Sequence, residues 1–217
     1  MMLSKIHPHL APPSPKTTAP VSDPPSSTTS HDLLSSTKGE IFTIWMKSLI
    51  LGGKGCTVFD SNGEVVYRVD NYCSKYCNQV FLMDSEGRVL LTILRKKYRL
   101  LAHWEGYRDE KKKGASWLFQ VRKSWKIPKN PLEYEVVVNM YHDRKSPAFK
   151  IQKVKSDSTS CKIVDRLGGS IAEVKRKHSV GGVVLGDDVL TLVVEPNIDQ
   201  SLIMGFMVAY NLIHCRM

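Results

Sequence analysis

The residues of this sequence with the clearest capacity for chemistry are cations gathered in short runs. The densest run is Arg95-Lys96-Lys97-Tyr98-Arg99, and a second run, Arg122-Lys123, is followed closely by a tryptophan. Alternate residues of a strand point to one face, so Arg95, Lys97 and Arg99 are expected to lie side by side. We therefore predict an anion-binding site whose candidate residues are Arg95, Lys97, Arg99, Arg122 and Lys123. The alternative interpretation is that these cations are only solvated surface residues on the exterior of the domain and bind no ligand.

The charge of the whole chain indicates the same class of partner. Its 217 residues include 31 Lys and Arg against 21 Asp and Glu, a net charge of +10. Such an excess favours anionic partners, which are phospholipid headgroups, nucleic acids or acidic proteins. Each Lys or Arg near an anionic membrane contributes about 1 kcal/mol, so three or four of them give weak, salt-sensitive binding.

The sequence lacks the residue patterns that are typical of catalysis or metal binding. Cys73 and Cys77 are close together, but no second Cys or His pair lies near them to complete a zinc site. The histidines accompany no nucleophile motif, and the glycine-rich run Gly52-Gly53-Lys54-Gly55 lacks the spacing and the Gly-Lys-Ser/Thr ending of a phosphate-binding loop. We therefore predict no enzyme activity, no metal and no cofactor.

Composition divides the chain into two parts. Residues 1–39 are rich in Pro, Ser and Thr and cannot bury enough surface to offset the entropy of ordering, so we predict a disordered tail. Residues 40–217 carry the apolar content of one folded domain. An odd number of irregularly spaced cysteines and the lack of a secretory signal predict reduced thiols and a cytoplasmic location.

From residue 41 onward, short β-rich segments alternate with turn signals. The alternation is clear in Glu64–Asp70 and in Leu132–Met140, where apolar side chains occupy every second position. Turns with an Asp followed by a Gly begin at Asp60, Asp84 and Asp165, which gives a weak internal repeat of a hairpin unit. We count about twelve strand candidates, in the arrangement expected of a meandering antiparallel sheet.

The longest apolar run, Leu202–Ile213, predicts a helix that must be enclosed by protein. At 1.5 Å per residue it is about 18 Å long, too short for the roughly 30 Å of hydrocarbon in a bilayer. The preceding strand should end at Pro196. Asn197 or Asp199 can cap the helix, which is expected at about Gln200–His214. Because apolar side chains cover most of its circumference, we predict a mainly β fold, a closed antiparallel barrel of about twelve strands around a central C-terminal helix.

Several segments resemble the plant LURP-one-related (LOR) proteins. The resemblance begins with FTIWMKSLILGGKGCTVFDSNGEVVYRVDNY and continues in order through LMDSEGRVLLTI, CKIVDRLGGSIAEVKRK and LGDDVLTLVVEPNIDQSLIMGFMVAYNLI. It covers residues 40–213, and the pairing of RVDNY with EPNIDQ before an apolar helix is specific. The resemblance implies the fold of the tubby C-terminal domain and of the phospholipid scramblases, a barrel of twelve strands around a central helix.

The resemblance also implies a role. LOR proteins are specific to plants, and some are tied to pathogen defence. Tubby-like domains bind phosphoinositides, and the kinship with them has prompted the idea of membrane-tethered transcription regulators. The basic residues with which tubby binds lipid have no matching motif in this sequence. We predict a non-catalytic binding or regulatory domain, peripheral to membranes and directed at phosphoinositide-type headgroups.

Two alternative functions stay open from the sequence. One is a protein-interaction scaffold in defence signalling, with the tail as a regulated arm. The other is a nucleic-acid-binding transcription regulator, which the charge fits, although no helix-turn-helix, zinc-finger or RNA-recognition signature is present. The run Lys175–Lys177 resembles a short nuclear signal, so a nuclear location stands beside the cytoplasmic and membrane-peripheral ones.

Overall fold

The structure is a computed structural model that describes residues 39–49, 54–71, 78–98, 101–108, 116–124, 133–139, 146–157 and 159–214. Within these ranges the chain forms twelve strands and one helix, α1 (Gln200–Ile213). The strands are β1 (Glu40–Trp45), β2 (Lys54–Phe59), β3 (Val65–Asn71), β4 (Gln79–Asp84), β5 (Val89–Tyr98), β6 (Leu101–Tyr107), β7 (Phe119–Lys123), β8 (Glu133–Val138), β9 (Phe149–Lys153), β10 (Cys161–Asp165), β11 (Ser170–Arg176) and β12 (Val189–Val194). The predicted disordered tail lies outside the described residues, apart from its last position.

The strands form one closed antiparallel barrel. Each strand pairs with its neighbours in sequence, and β1 pairs with β12 to close the ring, from Glu40 opposite Val194 to Trp45 opposite Val189. Closure removes the two exposed edges that an open sheet would present. The predicted mainly β barrel of twelve strands is therefore confirmed.

The helix distinguishes the two ends of the barrel. It begins where β12 ends, at what we call the helix-N end, and there Asp199 caps it by accepting the N–H of Leu202 at 3.1 Å. Arg108, which follows β6, contacts the Asp199 carboxylate at 2.6 Å. At the opposite, helix-C end, the Tyr134 hydroxyl at the start of β8 lies 3.1 Å from Nε2 of His214. Odd-numbered strands therefore run toward the helix-C end, and even-numbered strands return from it.

Helix α1 fills the lumen and is covered on every side. All residues from Ile203 to Asn211 are buried. Wall aromatics pack on the helix edge to face: Phe119 on Phe206 with ring centroids 5.0 Å apart, and Tyr134 on Tyr210 at 5.3 Å. The apolar circumference that the sequence shows is thus matched by an apolar wall, as predicted.

Two glycines allow the helix to approach one side of the wall. The Phe119 ring lies against Gly106 of β6 and Gly205 of α1. A Cβ added to Gly106 would lie 2.1 Å from the ring, and one added to Gly205 would lie 2.9 Å from it. The ring therefore occupies space that two absent side chains leave free. This packing accounts for the close approach of α1 to β5, β6 and β7.

The repeated hairpin turns share one hydrogen-bond pattern. In each turn, one Asp carboxylate oxygen accepts the backbone N–H groups two and four residues further on, at 2.8–3.0 Å. The residue three positions after each Asp is a glycine in the left-handed region, with φ between +85° and +87°. The three aspartates are Asp60, Asp84 and Asp165, and all three turns lie at the helix-N end. The weak sequence repeat therefore reflects a repeated turn geometry.

We expect Gly106→Ala to destabilise the barrel by about 1–3 kcal/mol, because the new methyl group would displace the Phe119 ring from a packed core. Urea denaturation would measure the loss. Gly106→Ala combined with Phe119→Leu should cost less than the sum of the two single changes, since the smaller side chain removes the clash. Gly181→Ala, whose methyl group would meet no atom closer than 3.9 Å, is the control. Equal midpoints for Gly106→Ala and the wild type would contradict this packing.

A second prediction concerns the thiol of Cys56, a core residue that is fully buried next to Asp70. Burial and the charge of Asp70 raise the pKa of this thiol to about 12. At pH 8 the thiolate fraction in the folded protein is then on the order of one in ten thousand. We expect iodoacetamide to leave Cys56 unmodified in the native protein and to modify it in urea, as read by peptide mass spectrometry. Comparable labelling in both conditions would show that the thiol is accessible.

Candidate anion-binding site

The β5–β6 hairpin carries the densest basic run to the rim of the barrel. Leu91 and Ile93 of β5 are buried in the core, and Arg95 and Lys97 continue the same inward-facing row. Both cations are nevertheless exposed, so they lie where the row leaves the core. Arg95 stands opposite Trp104, a buried residue that closes this part of the lumen.

Lys123 reaches the same rim from β7. The preceding inward-facing residue, Val121, is buried opposite Trp104, so Lys123 lies on the inward-facing row two residues nearer the helix-C end. It stands opposite Tyr134 of β8, whose ring packs on the ring of His214 with centroids 5.1 Å apart. The end of β7 therefore lies beside the end of α1.

Arg95, Lys97 and Lys123 together form what we call the basic rim. Their side chains are exposed on β5 and β7, at the helix-C end. Among the described residues, none of the three has an ion-pair partner. Unpaired, exposed cations keep their full attraction for an anionic ligand.

The other two predicted site residues stand apart from the basic rim. Arg122 faces the outside of the barrel, where its guanidinium contacts Glu135 at 3.0 Å and Ser124 donates to the same carboxylate at 3.2 Å. It is separated from Lys123 because adjacent residues of a strand face opposite ways. Arg99 lies outside the described residues. The structure thus brings Arg95, Lys97 and Lys123 to one rim and gives Arg122 an acidic partner.

Three glutamates on the outer face of the barrel are buried, and the sequence analysis missed them. Glu105 accepts hydrogen bonds from Tyr107 and from Gln120. Glu133 of β8 accepts a hydrogen bond from Gln152 of β9 at 3.1 Å and forms an ion pair with Lys150, also of β9. The third is Glu135, the partner of Arg122. Alternation marks these positions as polar and outward, but only the strand register supplies the neighbours that cover them.

The basic run Lys175–Lys177 has internal partners along its whole length. Lys175 contacts Glu173 at 2.7 Å, and Arg176 contacts Asp187 at 2.9 Å. Lys177 donates to the hydroxyl of Thr43 at 2.5 Å. This run therefore ties β11 to its surroundings, in contrast to the basic rim.

An open groove of about 510 Å³ lies on the outer side of β10 and β11, lined by Asp157, Lys162, Glu173 and Arg176 among others. Partial burial acts to raise the pKa of the Asp157 carboxyl. Hydrogen bonds from Ser160 and Thr159, with the Arg176 guanidinium at 3.1 Å, outweigh that effect and hold this pKa well below its usual range. The charged groups of the groove are thus paired with one another, which leaves little net charge for a ligand.

Charge is distributed unequally between the two ends of the barrel. In the described connections of the helix-N end, acidic residues outnumber basic ones: Asp60, Glu64, Asp84, Glu86, Asp165, Glu195 and Asp199 against Arg88, Arg108 and Arg166. The described part of the helix-C end has the opposite bias, because it carries the basic rim and also Lys47, Lys54, Lys153, Lys155, Arg176 and Lys177 against Asp70, Glu133, Asp157, Asp187 and Asp188. Within the described residues, the helix-C end is therefore the more attractive of the two ends for an anionic surface.

Neither a metal-binding cluster nor a membrane-spanning helix occurs in the described ranges. No group of three or more His, Cys, Asp or Glu side chains in them could hold a metal ion. No helix in them is both long and apolar enough to cross a membrane.

Comparisons with known proteins place this chain among relatives of matching extent. The family model described as LURP-one-related matches residues 40–211. Protein LURP-one-related 11 of Arabidopsis thaliana is 44% identical over 184 residues, which cover 82% of this chain and 80% of that protein. Protein LURP-one-related 3 of the same plant is 43% identical over 195 residues, covering 83% of this chain and 82% of its own length.

A solved structure shares the fold. An X-ray structure of a protein from Arabidopsis thaliana superimposes with a TM-score of 0.60, covering 84% of this chain and 96% of the other. Its sequence identity is 17%, so this likeness concerns the fold alone. The family model spans the barrel and most of α1, and the identity to two relatives exceeds two fifths over most of the chain. This chain therefore belongs to the LURP-one-related family.

Proposed function

We propose that this chain is a non-enzymatic regulatory domain of plant defence that binds anionic phospholipid headgroups, of the phosphoinositide type, through the basic rim. Membership of the LURP-one-related family supports the regulatory part of the proposal. One observation carries the binding part: Arg95, Lys97 and Lys123 converge on one rim, exposed and without an acidic partner among the described residues.

Electrostatics favour one orientation of the domain on a membrane. Three cations near an anionic surface contribute about 1 kcal/mol each, so the contact is weak, reversible and sensitive to salt. The described connections of the helix-N end are acidic overall and less favourable to the same surface, so the barrel axis would stand across the membrane plane with the helix-C end facing the bilayer. Anionic lipids of this kind are concentrated in the cytoplasmic leaflet, which fits a cytoplasmic protein that visits membranes.

The packing of the barrel supports a binding role in preference to catalysis. Helix α1 and the inward-facing wall residues fill the lumen, so a ligand must bind at an end or on the outer face. The thiol of Cys56 has its pKa raised to about 12 by burial and by Asp70, which is the opposite of what a nucleophilic thiol requires.

Replacement of the basic rim tests the proposal. We expect Arg95→Gln/Lys97→Gln/Lys123→Gln to lower the affinity for phosphoinositide-containing vesicles about a hundredfold, since three favourable contacts of about 1 kcal/mol are lost. Co-sedimentation with vesicles at several salt concentrations would measure it, and the residual binding of the variant should depend less steeply on salt.

The control removes the same number of charges from the other end. Arg88→Gln/Arg108→Gln/Arg166→Gln lowers the net charge of +10 by the same three units but alters only the helix-N end. It should pellet with vesicles as the wild type does, once thermal unfolding shows that both variants are folded. Equal losses in the two triple variants would mean that total charge and not the rim determines binding, and no loss in either would refute the site.

A further inference from the structure

Exposed apolar side chains are concentrated in one short segment between β11 and β12. Val180 is fully exposed, Val183 is 67% exposed, and Val184 and Leu185 are exposed as well. Most other large apolar residues on the described surface occur singly, as is normal for a globular protein. Exposed apolar side chains at four of six consecutive positions are a local concentration, and such concentrations mark contact surfaces.

The segment is a regular hairpin. The backbones of Ser179 and Val183 bond at 2.8 Å, the Ser179 hydroxyl accepts the N–H of Val183 at 3.2 Å, and Gly182 closes the turn with φ of +80°. A bridge between His178 and Val184 extends the pairing. The backbone follows the turn of the repeated Asp hairpins, and a serine hydroxyl takes the place of the carboxylate in accepting the N–H four residues further on. We call residues 178–185 the valine hairpin.

The base of the hairpin is held by the barrel. Leu185 donates its N–H to the carbonyl of Lys177 at 3.0 Å, and Arg176 and Asp187 pair across it at 2.9 Å. The backbone carbonyl of Asp188 accepts the N–H of Met46 at 2.8 Å, and the Asp188 carboxylate contacts the side chain of Lys47 at 3.4 Å. The acidic residues at the base are therefore neutralised, and the apolar tip is presented in a fixed position.

We propose that the valine hairpin inserts its tip into the headgroup and acyl boundary of an anionic bilayer while the basic rim binds headgroups on the opposite side of the same barrel end. The inference rests on the proposed function and adds a second, apolar contact to it. The connection between β11 and β12 lies at the helix-C end, as does the rim. The rim occupies β5 and β7, about half the barrel circumference away. The two contacts therefore lie on opposite sides of that end and could both touch one flat surface.

Two properties suit the tip to lipid. Its turn bonds the N–H groups of Ser179, Gly182 and Val183 internally, which lowers the number of unpaired polar groups, and such groups are costly in hydrocarbon. Its side chains are short and apolar, and Lys177 stands at its base, where its described partner is the uncharged hydroxyl of Thr43 and its positive charge is kept for lipid phosphates. Charge complementarity with the basic helix-C end thus favours an anionic bilayer over a second copy of this net-positive chain.

Val180→Ser/Val183→Ser tests the hairpin, with Leu167→Ser as the matched control. Leu167 is 96% exposed in the Asp165 turn, at the helix-N end. Vesicles of phosphatidylcholine with phosphatidylserine and a phosphoinositide should bind the valine variant roughly tenfold to a hundredfold more weakly, from the apolar area no longer transferred to lipid. Binding of soluble inositol trisphosphate, which reports on the rim alone, should be unchanged, and Leu167→Ser should match the wild type in both assays.

A tryptophan reporter tests insertion directly. Val180→Trp should show a blue-shifted emission component on these vesicles and be quenched by brominated acyl chains, beyond the response of the native tryptophans. Leu167→Trp should show neither effect.

The outcomes separate the hairpin from the rim. If the valine variant pellets as the wild type does, or if Val180→Trp is not quenched, the hairpin proposal is overturned even when the rim variant fails to bind. If the valine variant loses binding and the rim variant does not, the hairpin stands and the rim site falls. If the wild type binds no vesicle but is dimeric in light scattering, and Val180→Ser/Val183→Ser is monomeric, the occupant of the hairpin is a second copy and the bilayer proposal is refuted.

Discussion

The enclosure of α1 is the constraint on which the rest of the structure depends. A helix of 14 residues with apolar side chains around its circumference has no side that can face water. Its partners come from many strands: Leu91 of β5, Phe119 of β7, Tyr134 of β8 and Cys161 of β10 all contact it. No single sheet face could provide contacts around the whole helix, so the sheet must close, and closure in turn removes every free edge.

Closure also limits where function can reside. The lumen is filled, and the outer face carries paired charges such as those of Glu135 with Arg122 and Glu173 with Lys175. The two ends remain, and the antiparallel meander sends alternate connections to opposite ends. A chain of this topology can therefore give each end a different chemistry simply by alternating the composition of successive connections.

The sequence predicts those features that depend on local periodicity or on one turn. The strands, the enclosed helix, its cap at Asp199 and the shared face of Arg95 and Lys97 all follow from alternation, helix signals and turn chemistry. Asn197, the other candidate cap, instead adopts a left-handed conformation with φ of +62° in the connection before the helix.

Features that are set by the register between strands do not follow from the sequence. The pairing of Arg122 with Glu135 and the bond from Lys177 to Thr43 join residues far apart in sequence, so cations that look alike in the sequence differ in the structure. The valine hairpin does have a local signal, a Ser-Val-Gly-Gly-Val run that repeats the Asp turns with a serine, but only its position beyond the sheet shows that its valines are exposed.

The acidic residues described at the helix-N end and the basic residues described at the helix-C end have different physical origins. At the helix-N end, Asp60, Asp84 and Asp165 each accept backbone N–H groups in a turn, and Asp199 does so at the start of α1. These carboxylates are required by the fold, so acidity at that end is a consequence of how the chain turns. The basic rim has no such requirement, because no described contact of its side chains holds a turn, a cap or a strand pair. Its exposed like charges, two on β5 and one on β7 two strands away, repel one another, a small cost that folding alone does not explain. A ligand that brings negative charge to the rim removes that repulsion, which is the physical reason to look for function at the helix-C end.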